Sequence, residues 1–283
     1  MTRLSATPRW ARAAAVTVTT AALGAAALTA SNSATADRAA RPVPPPPTTP
    51  ARADQIQNID QVKTAIKGYY GDTVDPDRTN PIDGTALHTF SPTGNYAHEV
   101  GGIVRGAKQY LGKHRHAPAR AKKAILFDVD DTTLNTYSYE IYSNFVYNPT
   151  TNAAFVNGNV FRAVPHVVDL EKYAEARGYT VFFLTGRPEA QRSGTIQNLT
   201  SEGYDVSSAN LYLKDLTKPI YGSCYQPSAN RTCTTIQYKS LTRKYIESQG
   251  YDIVANFGDQ YSDLSGGYAN RTYKLPNPMY YLP

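Results

Sequence analysis

The chain has 283 residues, enough to bury one substantial core or two small ones. Its 29 Lys and Arg against 23 Asp and Glu give a net charge of +6, but Arg3, Arg9 and Arg12 all fall in an atypical leader with no acidic residue. Without that leader the balance is +3, which argues against nucleic-acid binding.

The leader reads as an export signal. Its arginines precede a small and apolar run over 13–30, and Ala34-Thr35-Ala36 then supplies a small-residue cleavage pattern. The run is diluted by Thr and Gly and falls short of the roughly 20 apolar residues that a membrane span needs. No cysteine in the leader could accept a lipid. The expectation is a signal peptide over 1–36, cut near Ala36, and a secreted mature protein with no membrane attachment. Residues 37–53 contain a run of prolines around Val43 that can build neither helix nor strand ladder and favours an extended spacer.

Residues 54–121 read as an N-terminal helical segment with two helices. One spans 55–70, with Ile56, Ile59, Val62 and Ile66 near helical spacing, and the other spans 96–111, with Val100, Val104 and Leu111. The basic stretch from Lys113 to Lys123 reads as a solvated linker. After it the texture changes. Short apolar runs at 124–127, 179–184, 211–213 and 253–257 alternate with helical patterns at 167–177, 189–200 and 236–249. Gly178, Pro188 and Gly250 punctuate those helices where a start or stop belongs. Such alternation predicts an α/β fold, a Rossmann-like parallel sheet with flanking helices over 122–283. The stretch 137–165, rich in Tyr and Asn, breaks the rhythm and reads as an insertion over the sheet, in which Tyr137, Tyr139, Tyr142 and Tyr147 form either a stacking wall or ordinary packing. Cys224 and Cys233 lie in a Pro, Ser and Asn-rich loop, and in an exported chain they most simply form one disulfide.

In open parallel sheets, ligands bind beyond the carboxyl ends of the strands. The residues that follow the four apolar runs are Asp128, Thr185, Lys214 and, one place further on past Gly258, Asp259. The first run continues Asp128-Val129-Asp130-Asp131-Thr132-Thr133, a carboxylate cluster that is costly at the end of a buried strand unless a cation offsets it. Hard carboxylate oxygens suit Mg²⁺. Of two such aspartates, one can attack phosphorus while the other moves a proton. An acidic turn or a calcium loop is the alternative reading of this segment alone.

Together these segments resemble the motifs of the haloacid-dehalogenase superfamily of phosphohydrolases, in the family's order. Asp128-Val-Asp-Asp-Thr resembles the first motif, which implies Asp128 as nucleophile and Asp130 as general acid/base. Leu184-Thr185-Gly186-Arg187-Pro188 is similar to the second, with Thr185 and Gly186 at a phosphoryl oxygen. Tyr238-Lys239-Ser240 is similar to the third, which makes Lys239 the orienting cation in preference to Lys214. Gly258-Asp259-Gln-Tyr-Ser-Asp263-Leu264 is similar to the fourth, with Asp259 a metal ligand and Asp263 a ligand or its support. The wording most resembles secreted acid phosphatases, a group that includes plant vegetative storage proteins and bacterial class B and class C enzymes.

The resemblance implies a Mg²⁺-dependent phosphatase acting on small phosphomonoesters at acidic pH, with the metal held by Asp128, the Asp130 carbonyl, Asp259 and Asp263. A non-catalytic storage or binding form of the same fold, and phosphotransfer to an alcohol, are the competing readings. No Arg-His-Gly motif points to a histidine phosphatase, and the five His of the chain form no two-metal pattern. Arg187 reads equally as a phosphate-steering group and as a carboxylate partner.

Overall fold

The computed structural model describes residues 49–114 and 121–282. The expected signal peptide, most of the proline-rich spacer and part of the basic stretch lie outside the described residues.

The N-terminal helix α1, Ile59–Tyr70, starts where the Asn58 side chain accepts hydrogen bonds from the Asp60 and Gln61 amides, and it stops at Gly71 in the left-handed conformation. An antiparallel hairpin follows, β1 (Thr73–Thr79) and β2 (Ala86–Thr89). The segment expected to be helical therefore also holds a hairpin. Asp83-Gly84 between the strands is a hairpin-turn signal, set against Pro76, which demotes its run to an edge strand or to no strand. The long helix α2, Asn95–Lys113, then leads into β3, Lys122–Phe127.

The segment between the first motif and the next crossover carries β4 (Leu134–Asn135), α3 (Tyr137–Tyr142), α4 (Pro149–Asn157) and β5 (Arg162–Ala163), with β4 and β5 paired antiparallel. Its rings are mostly packing. Tyr137 and Tyr139 are buried in the main core, while Tyr142 and Tyr147 reach the surface. Crossovers then alternate as α5 (Val167–Glu175), β6 (Thr180–Pro188), α6 (Arg192–Ser201), β7 (Leu211–Lys214), α7 (Thr235–Ser248) and β8 (Tyr251–Gly258). A single turn, α8 (Tyr261–Leu264), and a last strand, β9 (Thr272–Lys274), complete the helices and strands among the described residues.

The main sheet has five parallel strands in the order β7-β6-β3-β8-β9. Side-chain alternation along β3 explains its two-sided burial. Ile125 and Phe127 join one core with residues of α2 and α5, while Ala124 and Leu126 join another with Tyr238 and Ile246 of α7. On the first face Phe127 stacks on Phe257 at 4.7 Å between ring centroids, and Phe257 stacks on Tyr273 at 4.8 Å. Full burial of such rings stabilises the fold by roughly 1.5–3 kcal/mol each. This aromatic row runs directly beneath the strand ends, so the residues that follow Phe127 and Phe257 have a rigid base.

The hairpin is tied to the insertion and to the end of α6 by charge. Arg162 of β5 pairs with Asp75 and with Asp77, the latter at 2.8 Å, and Arg78 pairs with Glu202 just after α6. Cys224 and Cys233 are joined in a disulfide, with their Cα atoms 4.8 Å apart, just before α7 begins. Among the described residues no helix is long and apolar enough to cross a membrane.

Candidate active site

Four structural elements bring the sequence-predicted residues to one place. Asp128 follows β3, where its amide donates to the Phe257 carbonyl at 2.9 Å. Asp259 follows β8 and Asp263 lies in α8. Carboxylate oxygens of Asp128, Asp259 and Asp263 lie within 4.8 Å of one another, and all three residues are buried. Lys239 comes in from the first turns of α7, a helix opened by a reciprocal cap between Thr234 and Gln237. Its ammonium contacts Asp128 Oδ1, the Leu184 carbonyl at 2.7 Å and Asp263 Oδ1 at 3.1 Å. Lys214, the rival amine, ends the edge strand β7 opposite Pro188 and makes no ion pair among the described residues.

Gly258 is what lets β8 meet α8 so closely. A Cβ there would lie 2.4 Å from the Asp263 Cβ and 2.8 Å from its Oδ2, so any side chain would drive the two elements apart. Asp263 Oδ2 meanwhile accepts the Gln260 amide at 2.9 Å. Both of its oxygens are therefore engaged by protein groups, which makes it support for the site more than an open ligand. Asp128 Oδ2 and Asp259 Oδ1 are freer. Asp128 bonds Lys239 through its other oxygen, and Asp259 Oδ1 has only a long contact of 3.4 Å from Thr132 Oγ1.

Electrostatics agree with that picture. Burial first, and then the charge of Asp263, push the Asp128 and Asp259 carboxyls well above their ordinary range. Attraction to Asp128 and Asp263 holds Lys239 charged in spite of its own burial. Three clustered carboxylates thus face one ammonium, a deficit of positive charge in a dry, oxygen-rich site. Such a donor set fits a hard divalent cation of the Mg²⁺ type.

Asp130 points elsewhere. Its carboxylate receives a fork from Arg187, with Nη2 at 2.6 Å and Nε at 3.1 Å, and it stays partly exposed while Arg187 is buried. Of the two readings of Arg187, carboxylate pairing is the one with contacts in the structure; Arg187 Nη1 also donates to Thr195 Oγ1 at 3.0 Å. Thr185 is fully buried, and its Oγ1 accepts the Arg187 amide at 3.1 Å, which leaves the hydroxyl proton to donate elsewhere. Gly186 is exposed beside it, and a Cβ placed on it would touch nothing within 4 Å.

The third aspartate of the first motif has a different job. Asp131 sits at φ 53° and accepts the Thr136 amide at 3.0 Å and the Tyr280 hydroxyl at 2.7 Å. It folds the loop after β3 back on itself. Burial, only partly offset by these donors, raises its carboxyl to about 7. Sequence reasoning missed Asn277, Gln260 and Tyr280, which donate to Asp259 and Asp131. Gln260 lies within the fourth motif but has no role there, and Asn277 and Tyr280 lie on an irregular tail after the last strand, where no periodicity or motif marks them.

Comparison with known proteins follows the same lines. The family model for the HAD superfamily, subfamily IIIB (Acid phosphatase) matches residues 87–283. That match takes in α2 as well as the sheet. Acid phosphatase 1 of Solanum lycopersicum is 35% identical over 161 residues, covering 56% of this chain and 58% of the tomato protein. Vegetative storage protein 2 of Arabidopsis thaliana is 30% identical over 162 residues, covering 56% of each chain. The chain therefore spans under two thirds of the length of these curated relatives. The class C acid phosphatase from Bacillus anthracis shares the fold, with a TM-score of 0.54 at 22% identity over 67% of this chain and 80% of that one. With most of its length matched by the family model, the chain belongs to the haloacid-dehalogenase superfamily, subfamily IIIB, the acid phosphatases.

Proposed function

We propose that the chain is a secreted, Mg²⁺-dependent phosphomonoesterase that works through an aspartyl-phosphate. The observation that carries this reading is the meeting of Asp128, Asp259 and Asp263 with Lys239 beyond the ends of β3 and β8. Asp128 Oδ2 attacks phosphorus, the bond from phosphorus to the ester oxygen breaks, and Asp130 gives its proton to the departing alcohol. A water molecule then loses a proton to Asp130 and attacks the phosphorus of the aspartyl-phosphate. Inorganic phosphate leaves, and the Asp128 carboxylate is regenerated.

Thr185, Gly186 and Lys239 hold the phosphoryl oxygens and offset their charge, the positioning and electrostatic work on which phosphoryl transfer depends. Asp128, the Asp130 carbonyl and Asp259 would hold Mg²⁺, with Asp263 in support. The ion, when bound, supplies positive charge against the transferring group. Export rests on the leader's signal pattern over 1–36, followed by the spacer over 37–53. The Cys224–Cys233 disulfide is at home in an oxidising compartment. The catalytic unit is taken as 122–283, carrying the insertion 137–165, with α1, β2 and α2 of the segment 54–121 sharing its core.

A storage form without turnover is the rival, since two plant relatives carry that name. Asp128 and Asp130 are both present and set apart for different tasks, which favours the enzyme. The deciding experiment assays the purified mature chain on a panel of phosphomonoesters, with and without a chelator, beside Asp128→Asn. Turnover should vanish with the chelator and fall at least a thousandfold in the variant, given that loss of a nucleophile removes the covalent route. Near-normal turnover by folded Asp128→Asn would end the assignment.

A further inference from the structure

The eight residues after β9, 275–282, form no regular element, yet they are among the better-anchored parts of the site. The Leu275 amide donates to the Gly258 carbonyl at 2.9 Å, which sets the chain running back beside Asp259. Asn277 Nδ2 then donates to Asp259 Oδ2 at 2.7 Å. Its own Oδ1 accepts the Met279 amide at 2.8 Å, so the amide can be oriented only one way, with the nitrogen toward Asp259. Gln260 repeats the arrangement. Its Nε2 donates to the same Asp259 Oδ2 at 2.7 Å, while its Oε1 accepts the Leu282 amide at 3.0 Å. Further along, the Tyr280 hydroxyl donates to Asp131 Oδ2.

Two amide donors therefore converge on one oxygen of Asp259, and both take their orientation from the tail. That oxygen is saturated. The other, Oδ1, is left with a single long contact, from Thr132 Oγ1 at 3.4 Å, and is the oxygen free to meet a cation. Tyr280 acts on the other side, through Asp131, whose turn carries Asp128 and Asp130. Asp259 is buried to about 1% exposure, so water cannot replace a missing donor there without cost.

From this we infer that the C-terminal tail is a metal-orienting strap, in which Asn277 is a positioning residue that fixes Asp259 so that Oδ1 is presented to the cation. The inference rests on the reading of Asp259 as a metal ligand. Groups that orient a ligand typically contribute tenfold to a hundredfold to metal affinity. Asn277 touches neither the phosphoryl group nor the cation, so its loss should weaken metal binding much more than it slows turnover at saturating metal.

The test is titration calorimetry of Mg²⁺ into the chelator-stripped full chain, for the natural protein, Asn277→Ala and the volume-preserving Asn277→Leu. The melting temperature in chelator is measured in parallel. Expected is a Mg²⁺ dissociation constant raised about tenfold to a hundredfold in both variants, with metal-free melting temperatures lowered by only a few degrees, the cost of one lost donor at a buried carboxylate. The Mg²⁺ concentration for half-maximal turnover should rise in step, and kcat at saturating Mg²⁺ should be retained. Variants that are folded and bind Mg²⁺ within threefold of the natural chain overturn the strap and leave the phosphatase reading standing. A natural chain that binds no Mg²⁺ overturns the metal reading, and the strap falls with it.

Discussion

Asp130 has no buried hydrogen-bond cradle of its own and depends on one neighbour for its orientation. Arg187 grips it through Nε and Nη2 and is itself held by Thr195. A planar fork of this kind fixes a carboxylate in two directions, which a lysine ammonium cannot do. Arg187→Lys keeps the charge and loses the fork, so kcat should fall about tenfold to a hundredfold, the usual penalty for a reacting group displaced by a fraction of an ångström to an ångström. Steady-state kinetics with a thermal melt would measure this, and an unchanged kcat would mean that Asp130 needs no such holder. At this scale the sequence was informative wherever a residue closely follows an apolar run. Asp128 and Asp259 were legible from position, and Lys239 only from the motif around it, because Lys214 has the better position and the poorer surroundings. The Arg187–Asp130 pair was not legible, because it depends on how the loop after β3 turns, and Asp131 pins that loop through a contact to Tyr280 from far along the chain.

Elements were legible when they carried period and punctuation. The four apolar runs became β3, β6, β7 and β8, and the helices closed by glycine or opened after proline are where their breakers placed them. The short strand β9 and the tail were not legible, since their order comes from pairing and side-chain contacts made at long range and not from a local pattern, while the hairpin of β1 and β2 carried a turn signal at Asp83-Gly84 that Pro76 offset. The joint between β8 and α8 shows how tightly the site depends on one such contact. Gly258→Ala would force its Cβ against the backbone-anchored Cβ of Asp263, at 2.4 Å in the present arrangement. Overpacking of this sort costs about 1–3 kcal/mol. The variant should lose that much stability in urea melts and should also bind Mg²⁺ more weakly, because relief of the clash moves Asp263 away from Lys239. Full stability in the variant would show that α8 can shift freely.

Across the whole molecule, the pocket gathers more buried carboxyls than it has cations to match. Besides Asp128 and Asp259, Glu140 on α3 is only 6% exposed, and burial, reinforced by the charge of Asp130, raises it to about 7. Asp131 is raised to a similar value, again mainly by burial. A carboxyl with a higher value folded than unfolded binds more protons when folded, so its contribution to stability is lost as pH rises between the two values. For Glu140 that interval runs from the ordinary 4.5 to about 7. The metal-free protein should therefore be more stable at mildly acidic pH than at neutral pH, and Mg²⁺ should reverse much of the decline by binding the ionised cluster. Glu140→Gln separates this from any general acid effect, because it removes one late-ionising group that contacts neither Lys239 nor Asp259. In chelator it should gain on the order of 1–3 kcal/mol at about pH 7.5 and almost nothing at about pH 4.5. Urea melts of the two proteins at both pH values would measure the difference, and equal stability at the higher pH would show that Glu140 ionises there without strain on the fold.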